Sequence, residues 1–242
     1  MLSKTETAAA LRQARSANPQ GSQATSRKSF LNNCSDSSVN NNGSNGNITN
    51  SNEIKRSLRN HFLQKRELLN KNELADKSVQ IAENLINHPI YKSSKTIALY
   101  SSSRSEADTS IIFERNAELG KKSCFPKVCE NTLRFYEVSE LSDLKPGKFG
   151  ILEPIDTKSK EITPEKIDLF IIPAVCIDLS GNRIGYGMGY YDRALSNIDS
   201  GKKVGLVFEL QITCTIPAEQ FDKHVGHIAT EAGVIKTSRG GN

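Results

Sequence analysis

Cysteine is scarce in this 242-residue chain, and its spacing suits none of the residue's common structural uses. Cys34, Cys124, Cys129, Cys176 and Cys214 are odd in number and contain no Cys-x-x-Cys pair. Neither a zinc site nor a disulfide framework is suggested, and a reducing compartment fits best. Histidine is equally sparse: His61, His88, His224 and His227 form no His-Glu-x-x-His helix and have no cysteine at ligand spacing, so His224 and His227 read as surface residues. Long apolar runs are missing too. The strongest, residues 169–177, is far too short to cross a bilayer and is interrupted by Pro173, so no membrane partner is expected.

A one-sided charge surplus is also lacking in the part that can fold. The net charge is +5, but the first 52 residues hold five Lys/Arg against two Asp/Glu, which leaves 27 of the 32 basic residues facing 25 of the 27 acidic ones. With the signs interspersed and no basic block interleaved with aromatics, a dedicated nucleic-acid surface is not expected.

The N-terminal stretch divides by composition. Residues 1–30 are rich in Ala, Ser, Thr, Gln and Arg with Glu6 as the sole acid, which suits either a mitochondrial or plastid transit peptide or a plain extension. In residues 32–52, fourteen of 21 are Asn or Ser. Such a segment cannot bury enough apolar surface to offset the entropy of ordering, so residues 1–52 are expected to form a disordered or targeting extension and residues 53–242 a single folded domain. Cytoplasm is the default location.

From there on, periodicity organises the chain. Leu58, Phe62, Leu63 and Leu69 predict an amphipathic helix over 54–69, and a second helix over 73–87 has Asn72 as a possible cap, Leu74, Val79, Ala82, Leu85 and Ile86 as its inner face and Pro89 as its stop. A β-prone run at 96–100 leads through a polar loop, 101–108, into a helix over 109–119 that Gly120 can terminate. Further strands are expected at 123–128, 133–138, 169–177 and 203–208. This alternation predicts an α/β fold, a three-layer domain with a mostly parallel central sheet flanked by helices.

In that architecture ligands collect where loops leave the carboxyl ends of strands. One such loop is 101–108. The other is Arg183-Ile-Gly-Tyr-Gly-Met-Gly-Tyr-Tyr-Asp-Arg193, reached through a turn at Ser180-Gly181-Asn182. Gly185, Gly187 and Gly189 leave backbone amides open to close approach by a phosphate, and Arg183 and Arg193 add positive charge. It is not a Walker loop, lacking Lys-Ser/Thr after the second glycine, and it is not a dinucleotide fingerprint, because Tyr190 stands where glycine is needed. By itself the segment could equally be a tight structural connection.

Taken in order, the motifs resemble the 5-formyltetrahydrofolate cyclo-ligase family, also called methenyltetrahydrofolate synthetases. The resemblance runs from Lys55-x-x-Leu58-Arg59 and Lys65-Arg66 through Ala98-Leu99-Tyr100, Glu106-x-Asp108-Thr109 and Phe125-Pro126-Lys127-Val128. It continues through Gly147-x-Phe149-Gly150-Ile151-x-Glu153-Pro154 and residues 168–173 to Asp178 and the glycine segment. It implies a monomeric enzyme that uses ATP and Mg2+ to close 5-formyltetrahydrofolate into 5,10-methenyltetrahydrofolate with release of ADP and phosphate, by way of a phosphorylated formyl group.

Carried over residue by residue, the resemblance makes Lys55, Arg59, Arg183, Gly185, Gly187, Met188, Gly189, Tyr190 and Tyr191 ATP ligands, with Arg183 and Tyr190 catalytic. Ser101, Glu106, Tyr186, Gly187, Met188, Gly189 and Tyr190 would contact the reduced folate, and Asp192 and Asp222 would hold magnesium. Read without it, Lys55 and Arg59 are the solvated face of a basic helix, Asp108 and Glu106 are helix caps, Tyr190 and Tyr191 are packing residues and Asp222 is a surface acid. Three positions depart from the family's usual pattern: Met188 for glycine or lysine, Phe221 for histidine, and Gly226 for aspartate. Those departures favour one alternative, a folate- or nucleotide-binding regulatory protein without turnover; a second enzyme reading is a kinase-like phosphotransferase acting on another formyl or carboxyl substrate.

Overall fold

The computed structural model describes residues 47–155 and 160–239. The expectations for residues 1–46 lie outside the described residues. Helix α1 spans Asn47–Glu67, starting earlier and ending sooner than its periodicity predicted, with Leu58 and Phe62 buried on one face. Helix α2, Lys71–Asn87, is capped by Asn70 and not by Asn72. The Asn70 side chain accepts from the amides of Asn72 and Glu73 while Glu73 reaches back to the Asn70 amide, a capping box that Asn72 could not form because Glu73 lies next to it. Pro89 ends α2 by opening a new short helix, α3, Pro89–Ser93.

Among the described residues, eight strands form the central sheet in the order β13-β12-β10-β7-β1-β2-β3-β6. The five middle strands, β12 (His227–Thr230), β10 (Lys203–Leu206), β7 (Leu169–Pro173), β1 (Thr96–Ala98) and β2 (Lys122–Cys129), are parallel neighbours. β13 (Gly233–Lys236), β3 (Thr132–Glu137) and β6 (Glu161–Ile162) pair antiparallel toward the edges. The α/β fold with a mostly parallel sheet is as expected.

Side-chain alternation along β7 separates the layers. Leu169 and Ile171 point into a core with α2, α3 and α4 (Ser110–Glu118), whereas Phe170 and Ile172 point into a second core on the opposite face. That second face is covered by a small sheet, β11-β8-β9 (Ile212–Thr213, Cys176–Asp178, Arg183–Ile184), and by the short helix α5, Tyr190–Ala194. α1 lies against this small sheet through Leu58 and Phe62, which pack with Val175, Cys176, Ile184 and Ile216.

The strand expected over 169–177 is in fact two. Pro173 cannot donate to a ladder, so β7 stops there, and after Ala174 and Val175 the chain enters the small sheet as β8. Gln211 donates from Nε2 to both carbonyls orphaned at the crossing, Ala174 and Val175, at 2.9 Å each. The turn at Ser180-Gly181-Asn182 forms as expected, and buried Asp178 organises it. Its carboxylate accepts from the amides of Ser180 and Asn182, from the Asn182 side chain and from the amide of Ile216.

His227, expected at the surface, is half-buried against the His88 ring, with centroids 5.7 Å apart and Nδ1 buried without a partner. His224 is likewise only partly exposed. Burial, followed by the nearby His88 and Lys236, pushes the His227 imidazole down to about 4. Its folded value lies below the unfolded 6.5, so stability is highest above pH 6.5, falls as the pH drops toward 4 and levels off below. Thermal melts should show the wild type losing more between about pH 7.5 and about pH 5 than His227→Gln does; parallel curves would disconnect this histidine from acid sensitivity.

Candidate active site

The crossing from the central to the small sheet opens a cleft of about 580 Å³. α1 forms one wall, β8, β9 and the glycine segment another, and the loops after β1 and between β4 (Leu144–Pro146) and β5 (Leu152–Pro154) close the far side. Lys55, Arg59, Ser101, Glu106, Arg183, Gly185, Tyr186, Gly187, Met188, Gly189, Tyr190, Tyr191, Asp192 and Asp222, drawn from four separate stretches of sequence, all line it.

On α1, Lys55 and Arg59 are four residues apart and so share a face. Lys55 Nζ lies 2.6 Å from Asp222 Oδ2 and 3.3 Å from Glu219 Oε1, and Arg59 donates from Nε to the Gly185 carbonyl at 2.8 Å. This face is turned into the cleft and is not a solvated basic surface. Further along the helix stands Arg66, 1% exposed, which the sequence offered only as one more cation in a Lys/Arg-rich helix.

The glycine segment is shaped by backbone geometry. Gly187 has φ +99° and Gly189 φ +65°, values that L side chains rarely adopt, so glycine is required at both. A β-carbon on Gly189 would also meet Arg193 Nη1 at 2.8 Å. Arg193 donates to the carbonyls of Met188 and Asn131 at 2.8 and 2.6 Å, which clamps the segment to the β2–β3 turn; its guanidinium is spent on the protein's own backbone.

Arg183 leaves β9 with a side chain only 6% exposed. Nη2 lies 2.7 Å from Asp192 Oδ1, the guanidinium sits over the Tyr191 ring at 5.8 Å, and Nε is buried with no partner. An unpaired buried N–H is costly unless an acceptor arrives, and Arg183 is among the residues that line the cleft. Tyr191 is half-buried, and desolvation pushes its hydroxyl up. Tyr190 packs between Lys148, which donates to its hydroxyl at 3.3 Å, and Arg193.

At the other end of the cleft Glu106 accepts from the Ser103 amide at 3.0 Å. Burial raises its titration, while the Ser103 amide, the Arg66 charge and the Ser103 and Tyr186 hydroxyls pull it back. Ser101 donates its hydroxyl to the Leu152 carbonyl at 2.6 Å, which joins this loop to β5. Asp108 accepts from the amide and hydroxyl of Ser110 and so acts at the start of α4. Phe149, between β4 and β5, is 63% exposed with φ +61° and lines the cleft beside Lys148. The strained, exposed aromatic lay within the Gly-x-Phe-Gly-Ile motif, but its spacing carried no sign of where the ring would point.

Of the departing residues, Met188 lines the cleft, Phe221 is 78% exposed, and Gly226 sits where a β-carbon would collide with the backbone of Ser200. Aspartate at 226 is thus sterically incompatible with this backbone.

The description of the matching family model, 5-formyltetrahydrofolate cyclo-ligase family, applies to residues 51–231. The chain is 27% identical over 192 residues to a mouse 5-formyltetrahydrofolate cyclo-ligase, covering 74% of this chain and 95% of that protein. With an Escherichia coli K12 5-formyltetrahydrofolate cyclo-ligase it shares 28% over 178 residues, covering 71% and 97%. A solved structure of Aquifex aeolicus 5,10-methenyltetrahydrofolate synthetase superposes with a TM-score of 0.69 at 34% identity, covering 78% of this chain and 95% of that one. A matched segment that contains the central sheet except its edge strand β13, the glycine segment and all four stretches of the cleft leaves one conclusion: this chain belongs to the 5-formyltetrahydrofolate cyclo-ligase family.

Proposed function

We propose that the protein is an ATP-dependent ligase that closes 5-formyltetrahydrofolate to 5,10-methenyltetrahydrofolate. The observation that carries this reading is the buried, unpartnered Nε of Arg183, a residue that lines the same cleft as the glycine segment and the half-buried Glu106. A formamide oxygen is a poor leaving group. Transfer of the terminal phosphoryl group to it makes an iminophosphate; the neighbouring folate amine then attacks the former formyl carbon, the ring closes and phosphate departs with the oxygen.

Such a reaction needs positioning and charge stabilisation more than a protein nucleophile. Lys55 and Arg59 are suited to hold the nucleotide phosphates from α1, and the amides of Gly187 to Tyr191 to surround the transferred group. Arg183 stabilises its charge in the transition state, beside Tyr190. Glu106 accepts N–H groups from the pterin edge, and Ser101, Tyr186 and Met188 complete the folate wall.

Asp192 and Asp222 each commit one oxygen to a cation, Arg183 and Lys55 respectively, and each keeps a second for a hard metal. Two carboxylates beside a phosphate site suit magnesium, which prefers oxygen ligands and retains water. When bound there, the ion neutralises phosphate charge. Releasing Arg183 and Lys55 from those carboxylates toward the nucleotide is the protein's part.

No helix among the described residues is long and apolar enough to cross a membrane. We take the enzyme to act as a cytoplasmic monomer with a catalytic domain over 53–242; the targeting alternative concerns residues outside those described.

Mixing the protein with ATP, magnesium and 5-formyltetrahydrofolate should produce the methenyl absorbance band. ATP binding without that band would instead favour the regulatory reading. Arg183→Ala should lower kcat by about 10²–10³-fold with the folate constant little changed, and an unaltered kcat would remove its role. Glu106→Gln should weaken folate binding by about 10- to 100-fold, the equivalent of losing hydrogen bonds to a charged acceptor, with titration calorimetry as the check.

A further inference from the structure

Arg66 is 1% exposed, and a buried guanidinium requires an opposite charge as well as hydrogen bonds. Its two recorded acceptors are neutral: Nη2 donates to the Tyr186 hydroxyl at 2.7 Å and Nε to Ser105 Oγ at 3.0 Å. The neighbouring carboxylate is Glu106, one residue beyond Ser105, whose titration the Arg66 charge and the Tyr186 hydroxyl both pull down. A phenol can accept one hydrogen bond while donating another. Tyr186 therefore stands between cation and carboxylate, and three separate elements meet there: α1, the glycine segment and the loop after β1.

The other groups around this junction do not substitute for Arg66. Tyr100, buried after the end of β1, and Tyr191, half-buried on α5, face Glu106 as phenols whose titration is pushed up, so they stay neutral. Asp108 also faces Tyr100, and Arg183 faces Tyr191 from the phosphate side. Arg104 lies over the Tyr186 ring at 5.8 Å but is exposed to solvent. Arg66 is the cation that acts on Glu106 from inside the protein.

We propose that Arg66 is a positioning residue for folate recognition: through the Tyr186 hydroxyl it holds the Glu106 carboxylate in place at the cleft, and so couples the folate contact to the glycine segment. This inference rests on the reading of Glu106 as a contact to the reduced folate. An ionised carboxylate can accept two N–H groups side by side, whereas a protonated one presents a donor and loses half of that match. Removing a nearby positive charge favours the protonated form.

Binding of 5-formyltetrahydrofolate to the full chain, measured by titration calorimetry between about pH 5.5 and about pH 9, tests the relay. In Arg66→Met the pH at which affinity is half lost should move up by about one unit, with about tenfold weaker binding below it and recovery toward wild type at the alkaline end. Arg66→Lys, which keeps the charge, should restore the wild-type midpoint. Tyr186→Phe should move the midpoint as Arg66→Met does, and Ser105→Ala should leave it in place.

A folded Arg66→Met protein with an unmoved midpoint overturns the proposal. If Arg66→Met does not fold, an unmoved midpoint in Tyr186→Phe overturns it, as does a Ser105→Ala midpoint that shifts as far as that of Tyr186→Phe. Glu106→Gln separates the two readings. Unchanged folate affinity in that variant overturns the Glu106 assignment itself, while weakened affinity together with an unmoved Arg66→Met midpoint overturns the relay alone.

Discussion

A glycine-rich segment can present its amides to a phosphate only if something else holds it still, because it has few side chains with which to anchor itself. Here the anchors are guanidinium groups. Arg59 holds the Gly185 carbonyl, Arg66 the Tyr186 hydroxyl and Arg193 the Met188 carbonyl. Two of the three come from α1, more than a hundred residues away in sequence. The same helix supplies Lys55 to the carboxylate end of the cleft, so one element links the glycine segment to Asp222.

The second constraint is the departure of the chain from the central sheet after Pro173. Had the apolar run 169–177 continued as one strand, Arg183 and the glycines would lie beyond the end of the central sheet. Ending the ladder at a residue without an N–H turns the chain into the small sheet, and Gln211 satisfies the two carbonyls that the turn leaves unpaired. Asp178 then gathers the following hairpin and the segment at Ile216 around one buried carboxylate. That brings β9, with Arg183, and the segment leading to Asp222 to the same cleft, where Arg183 and the Lys223 amide share Asp192 Oδ1.

Charge in the cleft is arranged in pairs that a nucleotide can rearrange. Lys55 with Asp222 and Arg183 with Asp192 each join a cation suited to phosphate with a carboxylate suited to a metal. Neither pair is fully enclosed, which keeps the cost of separating them low when new partners arrive. Glu106 and Arg66 differ: their pairing runs through a hydroxyl, and Arg66 is deeply buried.

Four of the five parallel core strands, the three principal helices and the glycine turn were legible from apolar periodicity and turn chemistry, because those signals are local; β12 was not expected. Gly187 and Gly189 announce the positive φ angles that only glycine adopts freely, and the ordered motifs brought Lys55, Arg59, Glu106, Arg183, Asp192 and Asp222 together as candidates. Local pattern alone left three things open. The break at Pro173 was hidden by uninterrupted hydrophobicity on both sides, Arg66 was indistinguishable from its solvated neighbours, and His227 looked exposed because polarity says nothing about packing against His88. Sequence by itself determined which backbone shapes and which charges were available; the tertiary structure decided which of those charges lost their water, because burial and pairing depend on residues brought together from distant parts of the chain.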